Sequence, residues 1–273
     1  MPLPILQPHQ DATPEHLVRL FHRTQLHWVR HLGEEAALDG GVAFTNPQLP
    51  SVLDANLVID AALPPGASPG KVVEEVRQHF GAAGVSCRQW FMNPAAGEPQ
   101  TKPLVDHLLA NGWMPRAYDV MYRAGMPAGK GPEAQGLTII PARASFRHAR
   151  DLAEEAAGES GGSQEAEAAM LHLDDPHWDA AIALLGGKAV ARAGVLAVGD
   201  VGRIEHVFVI KAHRRQGIGR TMMGRALEVC TRSLFKHVLL HVPPEDAPAV
   251  SLCTGFGFRR IGSTIAYRAP AGG

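Results

Sequence analysis

One junction constrains the fold more than any other stretch of these 273 residues. The apolar run Val207-Phe208-Val209 leads into Arg214-x-x-Gly217-x-Gly219, which opens a helical pattern over residues 218–232. A strand, a glycine loop and a helix in that order leave the first N–H groups of the helix, and its positive dipole end, at the loop. Glycines there carry no Cβ, so an anion can approach the backbone closely. Arg214, Arg215 and Arg220 add charge-assisted donors at the rim. Together they make a pyrophosphate cradle. A Walker loop is excluded, because no Gly-Lys-Ser/Thr ends it. A dinucleotide fingerprint is a poor match, since that needs G-x-G-x-x-G after the first strand of a βαβ unit.

The rest of the chain is organised around a break. Residues 125–136 read GMPAGKGPEAQG, with four Gly, two Pro and no run of large apolar residues, which marks a linker. It predicts two domains, 1–124 and 137–273, each near the commonest domain size. The 45% apolar content is enough for real cores. A formal charge of −1 argues against a general nucleic-acid binder. No apolar run approaches the roughly 18–20 residues of a membrane helix, and the start, MPLPILQPHQ, has no signal-peptide pattern. Cys87, Cys230 and Cys253 are scattered and odd in number, so neither a disulfide framework nor a zinc knuckle is expected. A reduced, cytoplasmic compartment fits.

In the second half, periodicity predicts strands at 137–143, 179–185, 189–198, 203–210 and 236–242, with a last strand ending near Tyr267. Helices are predicted at 146–157, 164–173, 218–232 and 247–254, and GESGGS at 158–163 reads as a loop. Gly186-Gly187 and Gly199-Asp200 are two-residue hairpin turns. The order β-α-α-β-β-β-α-β-α-β gives a mixed, mostly antiparallel α/β sheet flanked by helices.

These residues, with Asp246 to Phe258 near the end, resemble the GNAT superfamily of N-acetyltransferases over essentially all of 137–270. The resemblance implies a GNAT fold. It implies that the backbone of Val207, Phe208 and Val209 meets the pantetheine arm of acetyl-coenzyme A. Arg214, Arg215, Gln216, Gly217, Ile218, Gly219 and Arg220 would hold its phosphates, with Asp246 beside them. Two departures stand out. Asp246 replaces an Asn common in the family, and Cys253 replaces a Tyr that often protonates the departing thiolate. A thiol with a reference pKa of about 8.5 can donate a proton or carry an acetyl group. A small buried residue filling the Tyr space is the reading the sequence favours.

Amine acetylation needs a base near the thioester. Glu205, on the strand before the loop, is our candidate, and a solvated strand carboxylate is the alternative. Strand alternation predicts that His206 points to the opposite face. A backbone N–H near Val207 or Phe208 would meet the oxyanion. His27 and His31, and His237 and His241, are spaced four apart, but neither pair has a clear third ligand, so no metal is expected.

The first half repeats the late order: helices at 14–32, 71–83 and 102–111, and strands at 41–44, 52–59, 86–92 and 116–123. Val105, Gly112, Trp113, Tyr122 and Arg123 fall 145 positions before Val250, Gly257, Phe258, Tyr267 and Arg268. This predicts a second GNAT-like unit in tandem. Its loop, Pro64 to Lys71, has no arginine matching Arg214 or Arg215, so its cradle reads as degenerate. The expected activity is acetyl transfer from acetyl-coenzyme A to a primary amine, on a small molecule or peptide, by direct attack in a ternary complex. A non-catalytic acyl-coenzyme A-binding or regulatory protein is the competing reading. A monomer or homodimer is expected.

Overall fold

The structure is a computed structural model that describes residues 12–124, 134–160, 162 and 164–270. The first eleven residues and most of the linker at 125–136 lie outside the described residues. The first half runs α1 (Pro14–Arg30), β1 (Glu34–Leu38), β2 (Gly41–Thr45), β3 (Leu57–Ala61), α2 (Pro69–Ala82), β4 (Gln89–Met92), α3 (Glu98–Ala110) and β5 (Met114–Ala124). The second runs β6 (Leu137–Pro141), α4 (Phe146–Ser160), α5 (Gln164–Leu171), β7 (Trp178–Leu185), β8 (Lys188–Val198) and β9 (Val201–Val209). It ends with α6 (Ile218–Arg232), β10 (His237–Val242), α7 (Ala247–Gly255) and β11 (Arg259–Arg268).

Local chemistry accounts for most boundaries. Thr13 caps α1 by accepting from the His16 N–H, and Pro14 occupies its first turn. Gly186 and Gly187, at φ of 57° and 78°, make the tight β7–β8 hairpin. Three expectations need correction. Strand β1 was not expected, because the sequence EEAAL has helix-forming residues; as the sheet's edge strand it is held by β2 alone. The strand expected at 52–59 is split. Asn56 Nδ2 donates to the carbonyl oxygens of Leu49 and Val52, so residues 53–55 form a helical turn and β3 starts at Leu57. The expected 158–163 loop starts too early, since α4 continues through Ser160.

All eleven strands form one mixed, mostly antiparallel sheet in the order β1-β2-β3-β4-β11-β5-β10-β9-β8-β7-β6. The last strands of the two halves are exchanged. β11 lies between β4 and β5, and β5 lies between β11 and β10. The exchange draws on both halves for one continuous core. On one face α1 packs Leu17, Leu20 and Phe21 onto Val120, Tyr122, Val201 and Leu239. On the other, α6 and α7 cover β9 and β10, while α2 and α3 cover β3 and β4.

The 145-residue offset marks two matching junctions. Gly112 and Gly257 end α3 and α7 in the left-handed region, at φ of 82° and 81°. The Trp113 N–H donates to the Leu108 carbonyl, and the Phe258 N–H to the Cys253 carbonyl. These are Schellman caps, which favour glycine at the left-handed position. Both halves also carry a bulge, in β3 against its parallel neighbour β4 and in β9 against its antiparallel neighbour β8. A bulge interrupts β3 between Val58 and Ala61, and another interrupts β9 between Glu205 and Phe208.

Candidate active site

The parallel ladder between β9 and β10 stops at the pair Arg203–Leu239. Beyond it β9 runs on to Val209 and β10 to Val242, and the strands diverge. A cleft of about 810 Å³ opens there, lined by Val207, Phe208 and Val209, by the glycine loop, and by the start of α7 from Asp246 to Leu252. Its size suits a cosubstrate.

The loop is shaped by two left-handed residues, Arg215 at φ 65° and Gly217 at φ 80°. Gly217 is the N-cap of α6, and no side chain caps that end. The first N–H groups of a long helix thus stay available to an acceptor in the cleft. A Cβ at Gly217 would meet nothing within 4 Å, so glycine is needed there for its φ alone. At Gly219 a Cβ would sit 3.7 Å from Val209 Cγ2 and 3.9 Å from Leu252 Cδ2, ordinary contacts, and would project at the cleft wall.

The candidate residues do not all play equal parts. Arg214, Arg215, Gly217, Gly219, Arg220 and Asp246 line the cleft. Arg214 is tethered: its Nε donates to the Val209 carbonyl at 2.9 Å, and Nη2 pairs with Glu159. Glu159, at the end of α4, also lines the cleft and was not anticipated. Only the fold brings it within reach, since it is 55 positions from Arg214. The Ile218 side chain is buried against Met222, leaving its backbone to face any ligand. Gln216 Nε2 turns back to the Ala212 carbonyl. Asp246 caps α7, its Oδ1 accepting from the Ala249 N–H at 3.1 Å. Cys253 is 3% exposed in the α6–α7 core, and burial pushes its thiol up to about 11. At neutral pH it is a packed thiol, not a nucleophile.

Glu205 is not among the residues lining the cleft. It faces α1, where its Oε1 accepts from Arg203 Nε at 2.5 Å and lies 3.6 Å from His241 Nε2. Burial alone would raise its carboxyl. The charge of Arg203, with its hydrogen bond, overcomes that and holds it below the usual range. Arg203 is 2% exposed and stacks 4.6 Å above the Phe21 ring. The alternation argument for His206 fails. The bulge places His206 at φ 56°, and its ring lies 5.3 Å from Trp28 of α1 and 5.9 Å from Trp178. His206 and Glu205 therefore share the α1 face. Burial drives His206 down to about 3 and His241 to about 4, so both are neutral imidazoles at pH 7. Trp28, Trp178, His172, Arg192 and His206 border a small cavity of about 30 Å³ on this face.

In the first half the corresponding arrangement is closed. β3 and β4 pair on both sides of their bulge, at Val58–Trp90 and at Ala61–Met92. The Leu63 N–H, in the loop that follows, donates to the Gln100 carbonyl of α3.

Residues 146–258 match the acetyltransferase (GNAT) family. Several solved structures share the fold. A GCN5-related N-acetyltransferase from Kribbella flavida is 18% identical, with a TM-score of 0.65 over 93% of this chain and 96% of that one. A GCN5-related N-acetyltransferase from Sphaerobacter thermophilus is also 18% identical, with a TM-score of 0.60 over 95% and 92%. A tandem GNAT protein from the clavulanic acid biosynthesis pathway is 15% identical, with a TM-score of 0.53 over 74% and 68%. No curated protein matches the chain in sequence. Among the described residues, no helix is long and apolar enough to cross a membrane. The open strand pair and the glycine loop both lie within residues 146–258, the stretch that matches the acetyltransferase (GNAT) family.

Proposed function

We propose that the protein transfers an acetyl group from acetyl-coenzyme A to a primary amine of a small molecule or peptide, by direct attack in a ternary complex. The observation that carries this reading is the divergence of β9 from β10 beside the uncapped N-terminus of α6. Pantetheine would pair with the backbone of Val207 to Val209, and the pyrophosphate would sit on the N–H groups of 218–220, flanked by Arg215 and Arg220. An N–H near Val207, freed from regular pairing by the bulge, would stabilise the oxyanion. The chain is read as two GNAT-like units, 1–124 and 137–273, of which the first binds no coenzyme and completes the sheet around the second. Cytoplasmic residence goes with this reading.

The amine would approach from the α1 face, where Glu205 is the base in this reading. Its pairing with Arg203 weakens it as a lone base, and burial makes the neutral His241 beside it a weak base too, at about 4. A proton taken at Glu205 would be shared with His241 across their 3.6 Å contact. The fate of the thiolate leaving group needs no tyrosine, since coenzyme A is a good leaving group and Cys253 is buried away from it.

A second reading, a non-catalytic acyl-coenzyme A-binding protein, draws on the tight packing of the α1 face, where the cavity beside His206 is only about 30 Å³. Two measurements separate the readings. Acetyl-coenzyme A should bind the protein but not a folded Gly217→Glu variant, which puts a carboxylate in the phosphate site; equal binding would overturn both. Coenzyme A release with a panel of amines should then show acceptor-dependent turnover, lowered in Glu205→Gln and His241→Ala with coenzyme affinity unchanged. Binding without turnover on any amine would favour the second reading.

A further inference from the structure

A cluster on the α1 face belongs to none of this chemistry. The Asp175 side chain is 1% exposed, yet its three ion-pair partners are all imidazoles. His27 Nε2 lies 3.0 Å from its Oδ2 and His177 Nδ1 lies 3.2 Å from its Oδ1. His31 Nδ1 is 3.9 Å from the same Oδ2 as His27. The guanidinium of Arg143 passes close but donates to the backbone carbonyls of Leu173 and Asp175, not to the carboxylate. A buried carboxylate needs hydrogen-bond donors and a compensating positive charge, and imidazole rings are the ion-pair partners this one has among the described residues.

The sequence showed half of this arrangement. His27, in the last turn of α1, and His31, its C-cap, stand one turn apart, a pair without a third ligand. The fold brings the other half from 148 residues away. Asp175 and His177 lie just before β7, and His177 is fixed there by two bonds. Its N–H donates to Asp175 Oδ1 at 2.9 Å, and its carbonyl accepts from the Ala197 N–H. The ligand atoms of His27, Asp175 and His177 all lie within 4.8 Å of one another. Ligands about 2.0–2.1 Å from a tetrahedral zinc ion stand roughly 3.4 Å apart, so small rotations of the exposed His177 ring and the partly buried His27 ring close the set.

We propose that His27, Asp175 and His177 form a binding site for a divalent transition metal, zinc by the character of its ligands, with His31 within reach of the fourth position. Two or three neutral imidazoles and one carboxylate suit zinc and its neighbours and suit magnesium or calcium poorly. The ion would cancel the charge of Asp175 and clamp α1 of the first half to β7 of the second. None of these residues lines the coenzyme cleft, so the site stands whether or not the protein proves to be an acetyltransferase.

The test uses the untagged, metal-stripped full chain titrated with zinc against a chromophoric chelator, and with cobalt followed by visible absorption. The expected result is one tight equivalent per chain, a tetrahedral cobalt spectrum, and a melting temperature that rises with zinc and saturates. The double variant His27→Ala/His177→Ala should bind at least tenfold more weakly and lose the thermal shift, while the exposed His16→Ala keeps both. His177→Ala alone, at a half-exposed ring, should also weaken binding, which keeps the test decisive if the double variant is unstable. Unsaturable zinc binding, or affinity unchanged in these variants, would overturn the proposal. Acetyl-coenzyme A affinity should be the same in all of them.

Discussion

Asp60 and His206 hold the same left-handed backbone, φ 57° and 56°, at the bulges of β3 and β9. Neither is glycine, so each bulge carries strain of about 1 kcal/mol that the surrounding sheet must hold in place. Their surroundings differ. Asp60 is pinned to α1 through His22, with Oδ1 and Nε2 2.6 Å apart, and its strand re-pairs with β4 at Ala61–Met92. After His206 β9 pairs again with β8, at Phe208–Arg192, but not with β10, and the cleft opens on that side. The expected stoichiometry is one acetyl-coenzyme A per chain. Isothermal titration giving two equivalent sites would contradict the closure of the first unit.

The two loop glycines should separate by mechanism. Gly217→Ala forces a Cβ into φ 80° and should destabilise the fold by about 1–2 kcal/mol. Gly219→Ala meets only ordinary contacts and should leave the melting temperature nearly unchanged. Its methyl group nevertheless stands where a phosphate would approach, so acetyl-coenzyme A affinity should fall tenfold or more. A Gly219→Ala protein that binds normally would show that the phosphates sit elsewhere.

Glu159 places a negative charge against the cradle and neutralises Arg214. Glu159→Gln should remove repulsion toward a phosphorylated ligand and free the guanidinium, tightening acetyl-coenzyme A by roughly two- to fivefold at low salt, less at high salt. Calorimetry at two ionic strengths measures this. Weaker binding instead would mean that Glu159 matters chiefly for holding Arg214 in position.

How much of this was readable beforehand depends on the range of the signal. The strand, loop and helix of 207–232 were legible because apolar period, glycines and arginines are all local. The paired caps at Gly112 and Gly257 were legible as a recurring offset, since a Schellman cap fixes residue types within six positions. The exchange of β5 and β11 was not, because either order satisfies the same hydrophobic pattern. The orientation of His206 was misjudged because a bulge adds one residue and breaks the alternation that period-two reasoning assumes. Glu159 meets Arg214, and Asp175 meets His27, only through contacts 55 and 148 residues away.

The buried histidines make stability depend on pH. An unfolded imidazole titrates near 6.5, whereas burial holds His206 at about 3 and His241 at about 4. Below pH 6.5 the unfolded chain therefore binds more protons than the folded one. Stability is full above that value and declines as pH falls toward the folded values. Between pH 7 and 5.5 the loss should be about 1 kcal/mol per histidine. His241→Phe, which keeps a ring between Phe21 and Tyr118, should flatten the decline. Urea midpoints at the two pH values measure it, and parallel curves for wild type and variant would refute the assignment.

The exchanged strands make the halves interdependent. Both neighbours of β5, β10 on one side and β11 on the other, come from the second half. In turn β11 is held between two strands of the first. A chain ending at Ala124 would leave β5 without a partner in its own half and β4 with one bare edge. Such an edge is prone to aggregation. It would also uncover the apolar face of α1 that packs on Val201 and Leu239. Residues 1–124 expressed alone should therefore give no cooperative thermal transition, and so should residues 137–273. Co-expression of the two pieces should restore one soluble complex that melts in a single step. A monomeric, cooperatively folding 1–124 fragment would show instead that each half can close its own sheet and that the exchange is dispensable.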